Sequence, residues 1–166
     1  MTKYTLYIHS WDVIAEFFNH TGFTLEETTE NGSSTRTIDL SEDRTTGNII
    51  FNYDNSGTGG DIAIGRVPVL TGSDAIAAFN KITIATSILD SYQLDYGLLT
   101  SNCNSSTEVL IDTFVPGWGG RAGEIFDQLP GFYVGDEYNR FRNNPYVQQA
   151  LNNANAVIEQ LTEQKL

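Results

Sequence analysis

Strand-like alternation fills the first seventy residues of this 166-residue chain, and helical spacing fills most of the rest. That division points to an α+β domain, in which a sheet and helices each bury one apolar face against the other. Residues 3–9 alternate and are rich in aromatic and β-branched side chains, which predicts a first strand. Residues 12–18 read as a short helix or turn, and residues 20–27 as a second strand. Asn31-Gly32 is a hairpin signal that leads into a third strand over 35–40. A polar turn over 41–47, a strand over 48–53, a flexible loop over 54–61 and a strand over 62–70 follow, with Pro68 placing that last strand at a sheet edge.

Beyond residue 70 the period changes. Thr71 and Asp74 open a helix running to about residue 89, with Ile76, Phe79, Ile82 and Ile84 as apolar positions. A further helix carries Val109, Leu110, Ile111 and Phe114. Pro116 and the glycines up to Gly120 break it, and a short helix over 122–129 precedes a second break at Pro130-Gly131. A closing helix over 144–166 places Val147, Leu151, Ala154, Ile158 and Leu161 at spacings of three and four. We read residues 1–166 as one domain, with 116–166 as a helical C-terminal extension.

Composition excludes several functions. The chain has one cysteine, so no internal disulfide or cysteine-rich zinc site can form. The loop over 54–61 has the carboxylates and amides of a cation site but neither EF-hand spacing nor a closing glutamate. No metal or organic cofactor is expected. The formal charge of −12 repels phosphate backbones, which argues against nucleic-acid partners. No apolar run approaches the ~18 residues of a membrane span, and the N-terminal stretch lacks the apolar centre of a secretory signal. The expectation is synthesis in the cytoplasm, with any export left to dedicated secretion machinery; the sequence does not fix the localisation.

The single cysteine supplies the chemistry. Asn102 can cap the helix that follows, so Cys103 falls in its first turn. Unpaired backbone N–H groups and the helix dipole stabilise a thiolate there, and the same amides can hold an oxyanion. The competing reading is a small buried hydrophobe, which the polar flanks Ser101, Asn102, Asn104, Ser105 and Ser106 disfavour. A nucleophilic thiol needs a base, and the chain has two histidines, His9 and His20. His20 stands where a loop enters a strand and is preferred; His9 ends the first strand. The hairpin pairs the 35–40 strand with the His20 strand, which makes its one carboxylate, Asp39, the candidate to orient the imidazole. Asn52 and Asp54 are weaker candidates.

Tyr96, Leu99 and the run Thr100-Ser101-Asn102-Cys103-Asn104 before a helix, with His20-Thr-Gly-Phe-Thr-Leu upstream, resemble the permuted NlpC-type branch of papain-like cysteine peptidases. The similarity spans roughly residues 20–115. It implies a small antiparallel sheet packed against the cysteine helix and cleavage of an amide bond through an acyl-enzyme. It also implies a Tyr96 hydroxyl near the oxyanion. Bacterial members often cut peptidoglycan peptides, and several are toxins delivered between cells. The expected substrate is therefore a peptide or peptidoglycan stem, and the expected protein partners are an inhibitor or a delivery component. Asn19 stands where the family often has glycine, so His20 and His9 both remain open as the base. Two rival functions fit the same residues: an acidic binding or neutralising module without catalysis, and a thiol acyltransferase.

Overall fold

The computed structural model describes residues 1–12, 19–43, 45–54, 65–94, 103–119, 121, 124 and 137–163. For residues 11, 12, 19, 20, 40–43, 103 and 137 it describes the backbone alone. Five strands, β1 (Lys3–Asp12), β2 (Asn19–Thr29), β3 (Gly32–Asp43), β4 (Asn48–Asp54) and β5 (Gly65–Thr71), form one antiparallel sheet in the order β4-β3-β2-β1-β5. Four helices follow: α1 (Gly72–Ser91), α2 (Cys103–Phe114), α3 (Glu137–Asn143) and α4 (Pro145–Glu163). The α+β reading holds.

The first four strands run longer than local alternation suggests, because each added residue pairs with a neighbour. The first hairpin closes with Thr29 opposite Gly32, so the turn is Glu30-Asn31, one position earlier than expected. Thr29 Oγ1 accepts from the Asn31 N–H at 3.2 Å and donates to the Gly32 carbonyl at 3.1 Å. Gly32, at φ 136°, supplies the backbone conformation that other residues rarely adopt. The third strand continues to Asp43, through residues expected to turn, and residues 45–47 form a turn. Pro68 lies on β5, which is an edge strand, where its missing N–H costs no ladder bond. The expectations for 12–18, 54–61, 122–129 and 130–131 fall mostly or wholly outside the described residues.

Alternation sorts the sheet into two faces. Leu6, Ile8, Phe23, Leu25, Ile38, Ile49, Phe51 and Val67 point to one side, where they bury against α1 and α2. Phe79, Ile82, Ala85 and Leu89 of α1 and Val109, Leu110, Ile111 and Phe114 of α2 complete this core. Asn144 caps α4: its Oδ1 accepts from the N–H of Tyr146 at 2.9 Å, and Pro145 occupies the first helical position. Val147, Leu151 and Ala154 are buried as their spacing predicts. Leu161, in the last turn of α4, is 49% exposed.

Candidate functional site

One row of residues crosses the sheet. His9 on β1 pairs with Gly22 on β2, Gly22 with Asp39 on β3, and Asp39 with Asn52 on β4. Directly opposed residues project to the same face, so the side chains of His9 and Asp39 share the face opposite the apolar core. They lie two strands apart, yet His9 Nε2 is 3.0 Å from Asp39 Oδ1. Gly22 is what lets them meet. A Cβ there would sit 2.5 Å from Asp39 Oδ1, 2.9 Å from His9 Nε2 and 2.4 Å from the Ile38 carbonyl oxygen.

The second ring nitrogen is also engaged, with His9 Nδ1 2.6 Å from Thr24 Oγ1. With Asp39 ionised, Nε2–H donates to the carboxylate; in the neutral ring Nδ1 then accepts from the Thr24 hydroxyl. His9 is fully buried and Asp39 is 24% exposed. Thr24 at one ring nitrogen and Asp39 at the other hold this imidazole in a single orientation.

The first turn of α2 lies on the other side of the sheet. Thr21 alternates with Gly22 and faces the helix, where its hydroxyl lies 2.9 Å from Asn104 Oδ1 and 3.2 Å from Thr107 Oγ1. Ser10, Thr21, Asn104, Ser105, Ser106 and Thr107 are all buried, an unusually polar seam between a strand pair and a helix. Ser10 Oγ, Ser105 Oγ and Glu108 Oε2 have no hydrogen-bond partner among the described residues. Burial, and secondarily the charge of Asp112 one turn on, pushes the Glu108 carboxyl up to about 7. A cleft of about 10 Å³, room for about one water, opens beside this seam among Thr21, Phe23, Ile38, Ser106 and Thr107, with Gly22 and Asp39 also on its wall.

Cys103 is the first residue of α2, as its sequence context predicts. Its side chain lies outside the described residues, as do the side chain of His20 and the whole of Tyr96 and Asn102. His20 is placed by its backbone on β2, opposite Trp11. The structure joins Asp39 to His9. It also joins the neighbours of the two other candidates, since Thr21 follows His20, Asn104 follows Cys103, and their side chains are hydrogen-bonded. The part Gly22 and Thr24 play in holding His9 escaped the sequence reading. A glycine inside a strand pattern was the available signal, because it marks close approach of another group. Among the described residues no group of three or more histidine, cysteine or acidic side chains is arranged to hold a metal ion, and no helix is long and apolar enough to cross a membrane.

No family model matches the chain, and no curated protein or solved structure matches it.

Proposed function

We propose that this protein is a cysteine hydrolase of amide bonds on a permuted papain-like arrangement, with Cys103 as nucleophile and His20 as base. The observation that carries the reading is the Thr21–Asn104 hydrogen bond of 2.9 Å, which holds the start of β2, where His20 stands, against the start of α2, where Cys103 stands. Because position 20 alternates with Thr21, the reading requires the imidazole to reach the thiol around the end of the strand. Added support comes from Cys103 beginning a 12-residue helix, where unpaired amides favour a thiolate.

In this mechanism His20 takes the thiol proton and the sulfur adds to the amide carbonyl carbon, forming a C–S bond. Backbone N–H groups of the first turn of α2 hold the resulting oxyanion, with Tyr96 and Asn102 assigned to support it. Collapse breaks the C–N bond, and the imidazolium gives its proton to the leaving amine. Water then adds to the thioester, His20 accepts its proton, and the acid and thiol are released. Asp39, the carboxylate expected to orient His20, is bonded to His9, which leaves the proposed machinery as thiol, imidazole and helix amides. Stem peptides of bacterial cell walls are the substrate we assign, which would make the protein an antibacterial effector.

Alkylation by iodoacetamide across pH tests the thiol, and incubation with purified sacculi tests the substrate. The proposal expects a rate plateau below the ordinary thiol value of about 8.5, lost in His20→Gln, and released peptides that disappear in Cys103→Ala. An ordinary thiol profile together with intact sacculi overturns it.

The second reading, an acidic binding module without catalysis, is favoured by the His9–Asp39 bond, which commits the orienting carboxylate to the other face of the sheet. It requires that partner binding survive in Cys103→Ala. An acyltransferase would keep the low thiol value and pass the acyl group to an amine or alcohol instead of water.

A further inference from the structure

Away from the first turn of α2, three helices converge on a groove of about 280 Å³. The second half of α2 contributes Asp112 and Thr113, α3 contributes Tyr138 and Arg142, and α4 contributes Gln148, Asn152 and Asn155. The α4 residues recur at four and three positions and therefore share one face of that helix. Val109 and Leu151, both buried, complete the lining. The volume is at the small end for ligand sites and suits a molecule of a few heavy atoms.

The lining is ordered by one chain of bonds. The Tyr138 hydroxyl donates to Asp112 Oδ2 at 2.7 Å and accepts from Arg142 Nη1 at 2.5 Å. Burial, followed by the bond to Asp112, pushes the Tyr138 phenol up to about 12, so it remains a donor under physiological conditions. Gln148 Nε2 donates to the Arg142 carbonyl oxygen and ties α4 to the end of α3. An anion and a cation thus face one space, separated by a single phenol oxygen. Arg142 has no carboxylate within ion-pair distance among the described residues. Asn152 and Asn155 are exposed inside a helix, where asparagine is one of the poorer formers, and burial does not explain their presence.

The geometry points to a binding site for a small zwitterion of the α-amino-acid class, its carboxylate on Arg142 and the asparagine amides, its ammonium toward Asp112. In such a ligand one carbon separates the two charges, and on the wall one phenol oxygen, bonded to both, separates Asp112 from Arg142. A neutral sugar fits less well, because the Tyr138 ring, the aromatic face available in the groove, is covered by the Arg142 guanidinium 5.7 Å from its centroid. The inference does not rest on the chemistry of Cys103.

The test is a titration of the full ¹⁵N-labelled chain with L-alanine, acetate, ethylamine and glucose, following the side-chain amides of Asn152 and Asn155. L-alanine should give saturable shifts with a Kd on the order of millimolar for so small a ligand, and acetate and ethylamine weaker ones. Arg142→Gln should weaken alanine binding roughly tenfold or more. The exposed Asn152→Ala should weaken it severalfold, and it serves as the deciding variant if Arg142→Gln does not fold. Shifts with glucose but not alanine, no saturable shift with alanine, or alanine binding unchanged in Asn152→Ala would overturn the assignment.

Discussion

His9 and Asp39 are separated by a whole β-strand and are nevertheless hydrogen-bonded at 3.0 Å, because the residue between them on β2 is Gly22. A side chain at position 22 would occupy the space through which the imidazole reaches the carboxylate. The pair is thus a property of three strands together, and each strand contributes something different: a ring, a gap and a charge. His9 is fully buried, so its bonds to Asp39 and Thr24 replace those that water would otherwise provide.

Gly22→Ala tests this relationship most directly. The added methyl would meet Asp39 Oδ1 at 2.5 Å and the Ile38 carbonyl at 2.4 Å, and backbone cannot give way as a flexible side chain can. We expect a loss of about 3 kcal/mol, combining overpacking with a broken buried bond. Urea denaturation measures it, and a loss below about 0.5 kcal/mol, the range of ordinary surface substitutions, would show that the strand shifts freely.

Asp39→Asn keeps the shape and removes the charge. It should cost about 1–2 kcal/mol, since the His9 bond survives as a neutral one. Because Asp39 is bonded to His9, the pH profile of Cys103 alkylation should stay within about twofold of the parent. A large slowing of alkylation would return Asp39 to the catalytic machinery.

Thr21→Val retains a β-branched strand residue and deletes the hydroxyl that contacts Asn104 and Thr107. A destabilisation of about 1–3 kcal/mol is expected from the buried groups left behind. If the first turn of α2 shapes the thiol, alkylation should move toward the profile of an ordinary cysteine. An unchanged profile would separate the docking of α2 from the reactivity of Cys103.

Glu108 makes stability depend on pH. Its carboxyl, raised from 4.5 to about 7 by burial and then by Asp112, holds a proton more tightly in the native state than in the unfolded chain. That contribution is complete below about 4.5 and is lost as pH rises through about 7. Glu108→Gln should flatten the decline and stabilise the protein at about pH 8 by about 1 kcal/mol, a figure reduced because the group is partly solvated. Thermal denaturation at several pH values checks it, and an unchanged slope would place the titration elsewhere.

Much of this fold is written in local pattern. Alternation from Lys3 onward marks β1, and the spacing of Val109, Leu110, Ile111 and Phe114 marks α2; all four are buried there. Pro68 identifies an edge, and Asn144-Pro145 marks a helix start through a side chain that caps its own chain. The hairpin signal at Asn31-Gly32 was right in kind and off by one residue, because Thr29 closes the turn with its own hydroxyl. The candidate site was less legible. His9 and His20 are both polar residues near strand ends, and nothing within a few residues of either reveals which one meets Asp39.

By itself, then, the sequence determined most of the strands and helices, though not the strand ends or α3, that Cys103 opens a helix, and that its lone thiol forms no internal disulfide. Those properties depend on neighbours along the chain, on side-chain period, on caps and on residue counts. Only the tertiary structure decided that Asp39 answers to His9 across Gly22, and that Thr21 turns the other way to hold Asn104. Register and strand order bring those groups together over 30 and 83 positions respectively. A one-residue slip in pairing would send each side chain to the opposite face of the sheet.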